Sequence, residues 1–184
     1  MNNNDLLSSL FAEHMELHSV CASTAMVQIS LASEAIANCL LRDKKILSCS
    51  TNSGNYLAQM FCSHLIGGFD EERPALPAIY LSPYHNGDIE KQINAFGSEG
   101  DTLFMLAYES DETLIAAINT AHERNICVIL CTNSSILITQ LNESDIAIPL
   151  PVASNIRSLE MQTTIIHALC QLVDSHIFGG TTDQ

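Results

Sequence analysis

Apolar residues recur at helical spacing over roughly the first forty positions of the chain. From Asp5 to Ser19 they follow one another every three or four residues, and Asp5 can cap the segment. A second segment with the same spacing runs from about Ser23 to Leu41. The pattern predicts two leading helices, spanning about 5–41, before any strand begins.

Short apolar runs bounded by turn residues alternate with helical patterns over the rest of the chain. We predict five strands, at 46–49, 78–81, 102–107, 126–131 and 146–148. We predict helices at 56–66, 88–96, 113–123 and 155–178. Strands that are apolar throughout and alternate with helices favour a parallel sheet covered on both faces. The sequence therefore predicts a three-layer αβα sandwich of the flavodoxin-like α/β class, with a five-stranded parallel sheet.

Composition narrows the class of protein. The 184 residues suit one domain, with an α/β core from about 44 to 178, and 47% of them are hydrophobic. Seven basic against 21 acidic residues give a net charge of −14, which disfavours direct binding to nucleic acid. No uninterrupted apolar run reaches the ~18 residues of a membrane span, and no signal peptide is visible. We expect a cytoplasmic protein with no membrane contact.

The seven cysteines lie mostly in apolar stretches, as reduced thiols of a cytosolic protein do. None of them forms a Cys-x-x-Cys pair. Cys127 and Cys131 lie four positions apart in a predicted strand, on the same face but too distant for one metal ion. The sequence therefore predicts no structural zinc site.

Two loops are candidates for ligand binding, because ligands of parallel sheets dock at the carboxyl ends of the strands, near helix N-termini. The loop after the first strand and the loop after the third are rich in small polar residues. The predicted ligand-binding residues are Ser50, Thr51, Asn52, Ser53, Gly54, Asn55 and Ser110. The alternative is that they only form turns and cap the next helix.

Several ordered segments resemble one known family. They are the Lys45–Cys49 strand, the block Glu72-Arg73-Pro74-Ala75-Leu76-Pro77-Ala78-Ile79, the turn 97–101, and Arg157 with Glu160 before a long last helix. Together they resemble the sugar isomerase (SIS) domain family, in the branch of the phosphoheptose isomerases and the DnaA initiator-associating protein DiaA. The resemblance spans nearly the whole chain and is closer to DiaA. It implies a homo-oligomer, a tetramer, with the leading helices in subunit contacts and sites between subunits.

Both candidate loops depart from the isomerase pattern. The family's Cys-Gly-Asn-Gly-Gly-Ser corresponds to 49–54, and its Ser-Thr-Ser-Gly-Asn-Ser cradle to 107–112. In the second loop hydroxyl positions have become Ala107, Glu109 and Glu112, with Asp111 beside them. A phosphate would lose hydrogen-bond donors there and meet like charge, at roughly 4 kcal/mol for each contact at about 4 Å. Helix capping is the alternative role of these carboxylates.

The resemblance also locates a catalytic pair. The isomerase glutamate corresponds to His64 and the isomerase histidine to His167, and moving a proton between sugar carbons needs one base and one acid. Two imidazoles can act together or hold a metal, but the other positions associated with a metal are Met60 and Leu159. We therefore predict no cofactor. The alternative is a zinc ion held by the two histidines. The two histidines can equally be interior or interface residues.

Two further features weigh on function. The connection from Ser82 to Gly97 is shorter than in the isomerases and lacks their Asn-Asp motif, and His85 reads as an exposed turn residue. Near the C-terminus, Ile177 and Phe178 form an apolar pair that suits a partner-binding patch, although packing on the core or a subunit interface is the alternative.

These departures favour a noncatalytic adaptor that resembles DiaA, binds the replication initiator DnaA and promotes initiation. One alternative is a phosphoheptose isomerase that converts sedoheptulose 7-phosphate to D-glycero-D-manno-heptose 7-phosphate, with His64 and His167 as proton carriers. The other is a sensor that binds a sugar phosphate without chemistry.

Overall fold

A computed structural model of the chain describes residues 2–83, 89–152 and 154–179. The predicted turn histidine, His85, and the first residue of the predicted second crossover helix, Asp88, lie outside these ranges.

The N-terminal segment is one helix rather than the two predicted. Helix α1 spans Asn3–Leu41, 39 residues, without interruption. The predicted break contains no glycine or proline, and the hydroxyls of Ser23 and Thr24 donate to the carbonyl of Val20, at 2.8 and 2.9 Å. Hydroxyls that bond back to the preceding turn leave the helix intact instead of capping a new one. The prediction of two leading helices is therefore wrong.

Five parallel strands form the sheet, as predicted. They are β1 Ile46–Ser50, β2 Ala78–Tyr80, β3 Thr102–Ala107, β4 Cys127–Thr132 and β5 Ile146–Pro149. Their order is β2-β1-β3-β4-β5, and β1 pairs with β3 in a register that puts Ser50 opposite Leu106. This is the doubly wound flavodoxin-like order. From β1 the chain adds β2 on one side and then β3, β4 and β5 on the other, so the switch point of the strand order lies between β1 and β3. The predicted fold class is confirmed.

Helices cover both faces of the sheet. After α1 they are α2 Asn55–Gly67, α3 Ile89–Phe96, α4 Glu112–Glu123, α5 Ser135–Ile138 and α6 Asn155–Phe178, with a 3-10 turn at Asn52–Gly54. Among the described residues, the one-turn α5 and the 3-10 turn are missing from the sequence prediction. Alternate residues of β3 point to opposite faces, so Phe104 joins a core with α1, α2 and α6, and Met105 joins one with α3 and α4.

By length and composition, α1 is the one helix of the described residues that could cross a membrane. Its later turns instead pack against α6 and the sheet, where Ala32 and Ile36 are fully buried. Nearer its start, Glu13 pairs with Arg157 at 3.1 Å and His14 with Glu160 at 2.9 Å. The helix is therefore integrated into the α/β fold.

Candidate functional site

A cavity of about 190 Å³ opens at the carboxyl edge of the sheet, between the loops after β1 and β3. We call it the edge cavity. Both loops were predicted to carry the ligand site, and the strand order places them side by side at the switch point. Its lining comes from these loops and from the start of α6, and includes Ser50, Thr51, Ser53, Gly54, Tyr108, Glu109, Ser110, Asp111, Asn155, Leu159 and Gln162.

Five of the seven predicted ligand-binding residues line the edge cavity: Ser50, Thr51, Ser53, Gly54 and Ser110. Asn55 is buried at the first turn of α2 and is not part of the lining. Asn52 lies in the 3-10 turn, and its side chain is outside the described part of the structure.

Ser50 and Gly54 share one small volume. The Ser50 hydroxyl donates to the carbonyl of Leu106 at 2.6 Å, and a Cβ added to Gly54 would lie 2.1 Å from that hydroxyl oxygen. The family that the sequence resembles has glycine at position 50 and serine at position 54. This chain therefore also has a hydroxyl in this volume, but from Ser50. Because that hydroxyl donates its proton to the Leu106 carbonyl of β3, only its oxygen is available to a ligand, as a hydrogen-bond acceptor.

The helix N-termini at this edge are capped differently. Asp111 caps α4 by accepting from the amide of Leu114 at 2.8 Å, and Ser154 caps α6 through the amide of Arg157 at 3.2 Å. Gly54, the N-cap residue of α2, has no side chain that could cap the helix. The positive end of the helix dipole favours an anion there.

The acidic loop is less hostile to an anion than its sequence indicates. Glu112 is the first residue of α4 and does not line the edge cavity. The Asp111 carboxylate is engaged by its helix cap, and Glu109 is exposed to solvent, which screens its charge. The electrostatic cost of a phosphate is therefore smaller than three unscreened carboxylates would impose.

Sequence reasoning missed Gln162 and Asn155 in this site. Gln162 is only 2% exposed and donates to the carbonyls of Ala107 and Cys131, at 3.3 and 3.5 Å, where β3 and β4 end. Asn155 donates to Ser53 at 3.4 Å. A polar Gln162 inside the apolar pattern of α6 was the only signal in the sequence, and it does not reveal which loop the side chain meets.

The two predicted catalytic histidines contact each other. His64 on α2 and His167 on α6 have ring centroids 5.7 Å apart and planes at 72°. Phe69 packs against both rings, at 5.0 and 5.1 Å. Burial, and then the neighbouring His167, lower the pKa of His64 below its ordinary value. Within the described residues its Nε2 is buried and has no hydrogen-bond partner, so the neutral imidazole keeps a free nitrogen.

The histidine pair and the edge cavity are separate within one chain. His64 lies nine residues after Asn55, the first residue of α2, which is ~14 Å along the helix axis. His167 lies twelve residues after Asn155, the first residue of α6, or ~18 Å. Neither histidine lines the edge cavity.

The surroundings of the pair do not suggest a metal centre. Among the described residues no three His, Cys, Asp or Glu side chains are grouped to hold an ion. Met60 is packed on the apolar core, and Leu159 lines the edge cavity instead. Nearby thiols are buried, which raises the pKa of Cys62 to about 12 and keeps it protonated.

The predicted partner patch is engaged within the chain. Ile177 packs against the hydrophobic core. Phe178 is 42% exposed, and its ring centroid lies 5.5 Å from the guanidinium carbon of Arg73. The structure thus gives both residues intramolecular contacts.

The doubly wound sheet, with its cavity at the switch point and a histidine pair between α2 and α6, defines an α/β domain of the sugar isomerase type. The chain is 33% identical to a phosphoheptose isomerase of Laribacter hongkongensis, over 92% of this chain and 94% of that protein. It is also 30% identical to the phosphoheptose isomerase of Francisella tularensis, whose structure superposes with a TM-score of 0.87 over 95% of this chain and all of that one. The chain belongs to the phosphoheptose isomerase family.

One further solved structure supports the fold alone. GmhA, a phosphoheptose isomerase from Neisseria gonorrhoeae, superposes with a TM-score of 0.84 at 24% identity, covering 95% of this chain and all of that one. No protein-family profile matches the sequence.

The prediction of a noncatalytic DnaA-binding adaptor is wrong. Relatives about 30% identical over most of the chain are phosphoheptose isomerases, and none of the comparisons supports an adaptor. The acidic loop 109–112 changes the polarity of the cavity, but the fold that carries it is that of the isomerases.

Proposed function

We propose that this protein is an isomerase that converts sedoheptulose 7-phosphate to D-glycero-D-manno-heptose 7-phosphate. The observation that carries the proposal is the contact between His64 and His167, two titratable rings on different helices. The buried Nε2 of His64 has no hydrogen-bond partner among the residues that the structure describes. The names of the relatives support the same reaction class.

The chemistry needs one base and one acid. A base removes the proton from C1 of the ketose, an enediol forms as the C2 carbonyl oxygen gains a proton, and a proton then returns to C2 while the C1 hydroxyl becomes the aldehyde. His64 suits the base, because its lowered pKa keeps it neutral at pH 7. His167 suits the acid that protonates the oxygen.

The edge cavity suits the other end of the substrate. Thr51, Ser53 and Ser110 supply hydroxyls, and the positive end of the α2 dipole favours an anionic group. The Glu109 carboxylate and the Ser50 oxygen, whose proton is donated to Leu106, can both accept hydrogen bonds from hydroxyls of a ligand. We therefore expect phosphate binding that is weaker than an all-hydroxyl cradle would give.

Within one chain the pair lies ~14 Å along α2 and ~18 Å along α6 from the helix starts that border the cavity, too far for one substrate to reach both. We therefore propose that the complete site forms between copies of the chain, as the resemblance implies for a tetramer. The first turns of α1 support this arrangement, since Leu7, Phe11 and Met15 are 53%, 69% and 68% exposed on the single chain.

The direct test is turnover of sedoheptulose 7-phosphate, followed by the appearance of the aldose. We expect turnover in the wild type and loss of it in His64→Gln. His176→Gln is the matched control, because His176 lies on α6 but is exposed and outside the pair. Binding of the ketose without any product would contradict the proposal and leave a sugar-phosphate sensor.

A further inference from the structure

Arg73 belongs to the Glu-Arg-Pro block on which the family resemblance rests, yet the proposed reaction does not use it. Its side chain is only 6% exposed. A guanidinium is rarely buried without several partners, because removing its charge from water is costly. The partners of Arg73 therefore indicate what it holds together.

One set of partners lies at the end of α2. Arg73 donates from Nη1 to the carbonyl of Leu65 at 2.8 Å and from Nη2 to the carbonyl of His64 at 3.1 Å. Gly68 turns the chain back at φ +87°, and a Cβ there would lie 2.7 Å from the carbonyl oxygen of Glu71. The guanidinium thus satisfies the last carbonyls of α2, including that of the catalytic candidate itself.

Arg73 Nη1 also donates to the carbonyl of the neighbouring Pro74 at 3.0 Å, and two further partners lie on α6. Arg73 Nε and Asp174 Oδ1 form an ion pair at 2.8 Å, and the Phe178 ring stacks at 5.5 Å from the guanidinium carbon. Asp174 follows His167 by seven residues, which is two helical turns. The planar guanidinium can donate to both carbonyls while its charge pairs with the carboxylate, and the compact ammonium of a lysine reproduces this arrangement only in part.

We propose that Arg73 is a positioning residue that fixes the distance between His64 and His167 by clamping the end of α2 to α6. It acts through the His64 backbone and through Asp174, without touching either imidazole. The inference deepens the proposed function, but the geometry it concerns can be measured without turnover.

Several charged and titratable groups of the described residues face this end of α2. Besides Arg73, they include His167 and Asp174 from α6 and the carboxylates of Asp70 and Glu71, which line one cavity with Arg73 and Asp174. They also include the buried thiols Cys62 and Cys170, whose pKa values burial raises to about 12. Loss of the Arg73 charge and loss of the Asp174 charge act on the pKa of His64 in opposite directions. Loosening of the clamp acts in one direction, because it exposes His64 and separates it from His167.

The test follows the imidazole proton resonances of His64 by NMR during a pH titration of the full chain, with His64→Gln to assign them. The variants are Arg73→Met and Asp174→Asn, with Arg73→Lys as the conservative change. Arg124→Met is the matched control, since Arg124 also donates to a loop carbonyl, that of Gly97 at 2.6 Å, but next to α3 and α4.

We expect the pKa of His64 to rise in both Arg73→Met and Asp174→Asn, less in Arg73→Lys, and to stay unchanged in Arg124→Met. We also expect kcat to fall about 10- to 100-fold with KM little changed, the loss typical of misplaced groups.

A lower pKa of His64 in Asp174→Asn would assign the effect to charge alone. A lower melting temperature with an unmoved pKa in all variants would assign Arg73 a merely structural role, and either result would overturn the inference. If Arg73→Met does not fold, Asp174→Asn decides. If the wild type shows no turnover, the proposed function is contradicted, but the titration of His64 still tests the role of Arg73.

Discussion

The edge cavity and the histidine pair are built on the same two helices, α2 and α6, but they differ in how closely they keep the isomerase pattern. The cavity, at the helix starts, has exchanged hydroxyls for carboxylates and moved one hydroxyl from position 54 to Ser50. The pair, several turns later, keeps the histidine and has a second histidine in place of the glutamate, and the two rings stay in contact with Phe69 packed against both. Loops at a sheet edge can change polarity without disturbing the core, whereas groups between packed helices are fixed by it.

The largest expected effect comes from removing either ring. His64→Gln and His167→Gln should each lower kcat by about 10²- to 10⁴-fold, the usual contribution of a general acid or base, with little change in KM. Steady-state kinetics with sedoheptulose 7-phosphate measures both constants. A loss confined to KM would mean that the pair only binds substrate, and the contrast between the two regions would disappear.

The next effect concerns the shared volume in the edge cavity. Gly54→Ala should push the Ser50 hydroxyl from the Leu106 carbonyl and lower the free energy of unfolding by about 1–3 kcal/mol. Adding Ser50→Gly should recover part of this loss, since the two positions compete for one space. Thermal unfolding measures both variants.

Gly67→Ala is the control for that experiment, because a Cβ at Gly67 meets nothing within 4 Å. It should leave stability unchanged or slightly higher. Equal destabilisation by Gly54→Ala and Gly67→Ala would show that the shared volume is not the cause.

A smaller effect is expected from pH. The folded protein holds the pKa of His64 below the ~6.5 of a free histidine, so the neutral base persists at pH 7. As the pH falls through the lowered pKa, turnover should drop about tenfold per unit. In the same direction, the unfolded chain takes up its proton first, so the contribution of His64 to stability also declines as pH falls below ~6.5. An acid limb that persists unchanged in His64→Gln would exclude this histidine as its source.

The smallest effect tests the cavity's charge. Glu109→Ser should tighten binding of sedoheptulose 7-phosphate by about threefold, since an exposed carboxylate repels a phosphate only weakly. Glu112→Ser, outside the cavity lining, should change nothing. Isothermal titration with wild type and both variants checks this, and equal gains from both would mean that only net charge matters.

The sequence predicted the elements that depend on local pattern. Apolar runs gave five strands, and the bounds of α6 agree with the predicted 155–178. The meeting of the loops at Ser50 and Ser110 followed from strand direction and order. The pairing of His64 with His167 came from the family resemblance, since nothing in the local pattern relates α2 to α6.

The rest depended on contacts distant in sequence. The role of Arg73 needs Asp174, about a hundred residues away, and no local pattern reveals that ion pair. The continuity of α1 depended on whether Ser23 and Thr24 bond backward or cap forward. The effect of the acidic loop depended on Asp111 being engaged at a helix cap, which reduces the repulsion that the residue types alone indicate.

The most direct test of the account is solvent isotope exchange. Sedoheptulose 7-phosphate incubated with the protein in D₂O should gain deuterium on the sugar carbons that exchange the proton, and NMR of the sugar follows this with or without net product. We predict enzyme-dependent deuterium uptake that His64→Gln and His167→Gln abolish and His176→Gln retains. No uptake with the wild type, or undiminished uptake in both pair variants, would contradict the assignment of His64 and His167 as the groups that move the proton.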